Sequence, residues 1–495
     1  MYRGSNLPNL TSSYIFCDYQ DGNIWTLRQT PEVAVERLTG DANITALVAD
    51  PSNGDVLMTD ILEGRILRLV TGGVDTGDYP TTLSETGLFA DLSDLSPSPG
   101  LLPYTPNLSF WSDHAIKSRW FSIPNGSDQM IWSKEGAWTY PDGSIWVKHF
   151  DLEMERGNPA TAQRIETRVL VKTAEGSYGV SYRWNAEQTE ATLVSDAGEE
   201  FELAITENGS PISQNYRIPS RQDCRSCHTP QAGHALSFDT RQLNLADLVN
   251  GLSGNQIDLL AQAGYLANQP EPVNTLPRHV RADEEGFSLE ARVRSYLAVN
   301  CASCHIDGGT APDSFNARPN LSLDETGLLH GLAIQNGGDP ANLLVVPGDT
   351  AHSIVLNRVA EANGFSRMPP LGSSVLDQES IDLLTAWIEN ELPSRQTYES
   401  WRLAEFGVAD SPEGEPNFDA DGDGKNNRQE FLFGTDPNSV VSSEQDIVML
   451  TGVPLIHNLS ITVPDNRSFQ IETSTDLSTW VTWDVPGNAG LPTAG

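Results

Sequence analysis

Four of the five cysteines in this 495-residue chain stand in two copies of one pentamer, Cys224-Arg-Ser-Cys227-His228 and Cys301-Ala-Ser-Cys304-His305. Two thiols separated by two residues reach both vinyl groups of a haem, and the histidine that follows offers a neutral imidazole to the iron. The pentamer therefore encodes covalent attachment of haem c together with one axial ligand. The same four thiols could form a tetrahedral zinc site, but zinc gives no reason for a histidine directly after each pair. The expectation is two haem c groups, one on Cys224, Cys227 and His228, the other on Cys301, Cys304 and His305. Cys17, in an apolar strand, reads as a small buried hydrophobe. It leaves no disulfide framework to build.

The flanks of the two motifs differ. A helical period over 287–300 delivers the chain to Cys301. After His305 come a loop, Val346-Pro-Gly-Asp349, a short helix, Arg367-Met368-Pro-Pro-Leu371 and a terminal helix over 377–392. In that helix Ile381, Leu384, Trp387 and Ile388 share a face, and Asp377 stands at the N-cap position. This order resembles the cytochrome c domain family. The resemblance implies that Met368 supplies the sixth ligand of the second haem, opposite His305. A His/Met iron is six-coordinate, has a raised potential and suits electron transfer.

The first motif has no such loop, and no Met lies between 228 and 368. Its sixth ligand is sought among His149, Met154, His234, His279, Met130 and His114, or its iron is open. His149 leads, because it sits mid-strand in the β segment just before the motif. Strand alternation puts Val147, His149 and Asp151 on one face, with Trp146, Phe150 and Met154 on the other.

A third constellation lies near the C-terminus. Asp419, Asp421, Asp423, Gly424, Lys425, Asn427 and Glu430 fit D-x-D-x-D-G-x5-E in register. The side chains at positions 1, 3, 5, 9 and 12 and the carbonyl at 7 (Lys425) supply oxygen, and the glycine makes the sharp turn; this is a calcium loop. It resembles the single loops of dockerin and thrombospondin-type repeats in exported proteins.

The elements around these residues are mostly strands. The chain reads as multidomain and mainly β with an α-helical cytochrome c region. Residues 1–72 are terminal propeller blades, 73–104 a linker and 105–217 an antiparallel β domain. Residues 218–285 and 286–394 are two haem c units, 395–440 a calcium-loop module and 441–495 an incomplete β-sandwich. The blade reading rests on a strand hairpin that recurs near 40 residues, Asn23–Leu27 against Gly64–Leu69.

Tyr14–Leu27 and Ala49–Val70 resemble the last blades of the quinoprotein glucose/sorbosone dehydrogenase propeller. Leu108–Asn125, Trp146–Met154, Arg164–Thr173, Tyr182–Asn185 and both pentamers resemble the dihaem cytochrome region fused behind such propellers. The resemblance implies a PQQ-dependent dehydrogenase domain that oxidises a sugar or polyol and passes electrons through haem to an external acceptor. None of that family's catalytic or PQQ-binding residues can be matched here, so PQQ belongs to upstream sequence. Two other readings stand beside it: a dihaem peroxidase-like enzyme acting at the first haem, and a non-catalytic, calcium-stabilised surface protein.

The net charge of -37, from 67 Asp and Glu against 30 Lys and Arg, argues against nucleic acid and anionic membranes as partners. No apolar run is long enough to span a membrane. Haem attachment and the calcium loop imply a periplasmic or extracellular location. No apolar signal segment follows Met1, and both ends are expected to be truncations.

Overall fold

The computed structural model describes residues 1–440, apart from 5–6, 8–9, 18, 20–22, 29–33, 41–43, 62–63, 70–78, 175, 250–251, 312–314, 396–397 and 409, together with 472–473 and 481–482. The chain is mainly β, its named strands pair antiparallel, and its helices are few and short among the described residues. Two compact units form. The first contains Met1–His279, Leu297–Ala317 and Ser366–Asp377; the second contains Val280–Tyr296, Arg318–Phe365 and the chain from Gln378 onward.

The first unit opens with two three-stranded meanders, β1 (Tyr14–Cys17), β2 (Asn23–Arg28), β3 (Ala34–Gly40) and β4 (Ile44–Ala49), β5 (Val56–Asp60), β6 (Arg65–Arg68). Ile24, Ile44, Val56 and Met58 share one core, and half-buried Cys17 packs against it. Arg68 ties the second meander together through Asp50 (2.6 Å) and Asp55 (2.9 Å).

A short pair, β7 (Phe89–Asp91) and β8 (Ser96–Pro97), precedes the main sheet. That sheet is a six-stranded meander: β9 (Leu102–Pro103), β10 (Ile116–Ser122), β11 (Ile145–Glu153), β12 (Ala162–Thr173), β13 (Gly176–Trp184) and β14 (Ala191–Leu193). Both of its faces are covered. On one face Trp120, Val147, Val169, Val180 and Tyr182 pack beneath Leu83, Phe89, Leu95 and Leu101. Residues 83–101 are therefore part of this core, not the linker their composition suggested. Their glycines serve turns, with Gly87 and Gly100 at φ 67° and 95°, and four spaced apolar side chains cover the sheet.

On the opposite face Phe121, Trp146 and Leu170 pack against Phe238, Leu243, Ile257 and Leu266. The segment after the first motif thus shares a core with the β domain. A hairpin, β15 (Glu199–Glu207) and β16 (Ser210–Ile218), delivers the chain to α1 (Arg221–Cys227). Then come α2 (Thr240–Leu243), the pair β17 (Ala246–Val249) and β18 (Leu252–Asn255), and α3 (Gln256–Gln262).

The later helices are α4 (Leu289–Asn300), α5 (Ile354–Val359), α6 (Gln378–Ala386), which continues through a π turn at Trp387–Glu391, α7 (Tyr398–Phe406) and α8 (Asn427–Phe433). The helical periods at 287–300 and 377–392 thus appear as α4 and α6 with its extension. In the second unit the Glu391 carboxylate accepts from Leu289 and Glu290 N–H (2.9 and 3.1 Å) and satisfies the start of α4. Leu384, Trp387 and Ile388 are all 0% exposed, as the single apolar face requires. Of the expected C-terminal sandwich, only Glu472–Thr473, paired with Val481–Thr482, falls within the described residues. Among the described residues no helix is long and apolar enough to cross a membrane.

Candidate functional site

The first pentamer is built by a helix cap. Ser220 and Asp223 form a reciprocal capping box, Ser220 Oγ accepting from Asp223 N–H and the Asp223 carboxylate accepting from Ser220 N–H. This starts α1 where the hairpin β15–β16 ends. Cys224 and Cys227, three residues apart, then share a side of the helix. His228 closes the helix, its N–H donating to Cys224 carbonyl at 2.9 Å.

The imidazole of His228 is oriented from behind. Its Nδ1 donates to the carbonyl of His234, which leaves the Nε2 lone pair available as a ligand. Metal-ligating histidines are held in this way. Burial, with Lys148 and Arg168 nearby, holds the His228 pKa down at about 4, so the ring is neutral at pH 7, the form that coordinates. Ser177 Oγ donates to His228 carbonyl at 2.8 Å and lies 3.2 Å from His234 Nδ1.

The sheet makes room for Cys224 at a glycine. A Cβ added at Gly179 would stand 2.8 Å from Cys224 Sγ. Gly179 is therefore required by close approach, a meaning that glycine in a strand interior carries. Burial pushes the thiols of Cys224 and Cys301 up to about 11 and about 12.

The second pentamer lies in the same unit. Its chain folds as tight turns, Cys304 and His305 N–H both donating to Cys301 carbonyl (3.1 and 2.8 Å). His305 stacks on Phe315, with centroids 4.3 Å apart. The two pentamers meet. Thr310 Oγ1 donates to Ser226 carbonyl at 2.9 Å, and Cys304 Sγ lies 3.8 Å from the same oxygen. A Cys227–Cys304 hydrogen bond pushes the Cys304 thiol down and Cys227 up. Even so, no three Cys or His ligand atoms among the described residues lie within 4.8 Å of one another, as a four-thiolate zinc site demands.

Met368 is half-buried on a loop that also belongs to this unit. The loop is held by residues 111–113. Val375 N–H donates to Asp113 Oδ1 at 2.7 Å, and Trp111 Nε1 donates to Val375 carbonyl at 3.1 Å. Trp111 N–H also donates to Asn300 Oδ1 at 2.8 Å, directly before Cys301. One short segment thus fastens both the second pentamer and the Met368 loop.

His149, expected as the sixth ligand of the first haem, does not join the first pentamer. It pairs with Thr167, beside Val147–Val169, on the sheet face that packs under Leu83 and Phe89. Cys224 abuts Gly179, whose strand partner Leu170 faces the other way. The ring of His149 is 0% exposed. Its Nδ1 contacts Thr167 Oγ1 (2.8 Å), its Nε2 contacts Asp151 Oδ1 (3.2 Å), and its edge meets Trp184. It is a satisfied strand histidine. The other candidates have their own surroundings: Met130 is buried among Trp138 and Tyr140, Met154 packs near Leu152 and Ile165, and His279 is buried beside Arg241. His114 meets Trp111 edge-on, and His234 lends His228 only its carbonyl.

The acidic loop closes as its spacing predicts. Carboxylate oxygens of Asp419, Asp421 and Asp423 lie within 4.8 Å of one another. Asp419 accepts from Gly422 and Gly424 N–H, and Asp423 accepts from Lys425 N–H. Asn427 and Glu430, both 0% exposed, begin and stiffen α8. Asp421 Oδ2, Asn427 Oδ1 and both Glu430 oxygens are buried without a hydrogen-bond partner. Unmatched buried oxygens of this kind fit a cation. Burial, together with Asp421, Asp423 and Asp419, raises the Glu430 carboxyl to about 7.

Compared with protein-family models, curated proteins and solved structures, the chain finds no match.

Proposed function

We propose that the chain is a dihaem c-type electron-transfer module. Cys224 and Cys227 would hold one haem and Cys301 and Cys304 the other, with His228 and His305 as proximal ligands and Met368 as the sixth ligand of the second. Bound haem supplies reversible one-electron chemistry. The protein's own part is to orient His228 through its Nδ1 donor, keep the ring neutral and hold the half-buried attachment thiols. The observation that carries the reading is the meeting of the two pentamers in one compact unit that also contains the Met368 loop. Electrons would come from a PQQ-dependent sugar or polyol dehydrogenase domain of the kind residues 1–72 resemble, and leave to an external acceptor. The setting would be periplasmic or extracellular.

A calcium ion on Asp419, Asp421, Asp423, Asn427, Glu430 and the Lys425 carbonyl would stiffen the second unit. The unmatched oxygens of Glu430 support it.

One observation favours a second reading. With His149 turned away, the first iron has no assigned sixth ligand, as a peroxidase-like haem needs. Potentiometric titration with and without carbon monoxide separates the two. A carrier shows two reversible one-electron waves and no carbon monoxide spectrum. Carbon monoxide binding with peroxide turnover would replace the carrier reading.

A further inference from the structure

The register of the main sheet stacks cations. Arg119, Lys148 and Arg168 are direct cross-strand neighbours on β10, β11 and β12. Lys117, two residues from Arg119, points to the same face. This is the face on which Cys224 meets Gly179, and Lys148 and Arg168 both bear on His228. Like charges directly opposite in a sheet repel.

Arg168 has a partner, Glu166. Among the described residues Lys117, Arg119 and Lys148 form no ion pair. Lys117 Nζ donates to Phe110 carbonyl, Arg119 Nη2 lies 3.4 Å from Ser109 Oγ, and Lys148 Nζ lies 4.9 Å from the Phe150 ring centre. Arg119 is 5% exposed. Burial pushes Lys117 down to about 7 and Lys148 well below the ordinary lysine range. Asp113 and Asp377 bear on Lys117 and Glu166 bears on Lys148, but Asp113 is already engaged by Val375 N–H and Glu166 by Arg168. In a chain with 67 acidic residues and 30 basic ones, one buried and two half-buried basic side chains on one sheet face with no ion pair of their own are not a by-product of composition. Such groups are retained where a ligand supplies the missing charge.

We propose that Lys117, Arg119 and Lys148 form a carboxylate-binding site beside the first pentamer, and that its ligand is the propionate edge of the haem held by Cys224, Cys227 and His228. This rests on the haem reading above. It makes the first haem the site whose charge and potential the β domain controls.

The test uses the full chain loaded with haem, with K148M, K148R and K117M variants. Intact mass counts covalent haem, and spectroelectrochemical titration gives each midpoint. K148M should shift the reduction equilibrium of one haem about tenfold toward the oxidised form, 59 mV for one electron. The other haem should stay unchanged, and K148R should keep the wild-type value. K117M should shift the same wave, and it carries the test if K148M does not fold. Two haems with both waves unmoved would overturn the site. A new axial-ligand spectrum in both Lys148 variants would assign Lys148 to iron and overturn it. A wild-type wave that follows added acetate or chloride would make the ligand a free anion and overturn the haem edge. If mass shows no covalent haem, the reading of the pentamers itself fails.

Discussion

Removing the cation from the acidic loop should reverse the pH dependence of the module that carries it. Glu430 is 0% exposed, both its oxygens lack partners, and its carboxyl stands at about 7. Unfolded, the same group titrates at its ordinary value of 4.5. Because the folded value is the higher one, the protonated form is the one the fold favours. The Glu430 contribution to metal-free stability is therefore fully present below about 4.5 and is lost as pH rises through about 7. The span corresponds to about 3 kcal/mol. Calcium needs all four carboxylates ionised, so with calcium the stability should rise over the same window. At a hundredfold excess over Kd the gain is about 2.7 kcal/mol. Amide hydrogen exchange of peptides from 398–439, corrected for intrinsic rates and run in chelator and in calcium, measures both slopes. Glu430→Gln should flatten the metal-free slope and abolish the calcium response. Protection that rises with pH in chelator, or an E430Q variant that still responds to calcium, would refute the reasoning.

Three more substitutions probe the first unit. Gly179→Val puts a side chain where Cys224 Sγ would be 2.8 Å from the new Cβ; peptide mass should show haem lost from the first pentamer only, and equal loading of both would sink the packing argument. His149→Gln should lower stability by about 2 kcal/mol through lost contacts to Thr167 and Asp151, read by urea unfolding, with haem spectra unchanged; an altered axial-ligand spectrum would restore His149 as a ligand. Met368→Ala should lower the potential of the second haem and leave its iron high-spin or water-ligated, and an unchanged spectrum would remove Met368 from the iron.

Local chemistry was legible in the sequence where spacing alone determines it. The acidic loop closed because Asp419, Asp421 and Asp423 lie within one turn, directly before a helix start. The helices α4 and α6 followed from apolar period. The assignment of His149 required knowing which sheet face the pentamer abuts, and period-two alternation names the faces without saying which is which. The informative residue was Gly179, mid-strand between Tyr178 and Val180, where a missing side chain signals close approach. The stretch 83–101 has the composition of a linker because its Gly, Pro and Ser serve turns, while Leu83, Phe89, Leu95 and Leu101 cover a sheet. The cation ladder Arg119–Lys148–Arg168 was invisible because cross-strand register joins residues far apart in sequence.

Both pentamers should carry covalent haem. Peptide mapping by mass spectrometry of protein exported from a haem-loading host tests it directly. One haem should be found on the peptide carrying Cys224, Cys227 and His228, and one on the peptide carrying Cys301, Cys304 and His305. Unmodified thiols, or a disulfide joining Cys227 to Cys304, would contradict it.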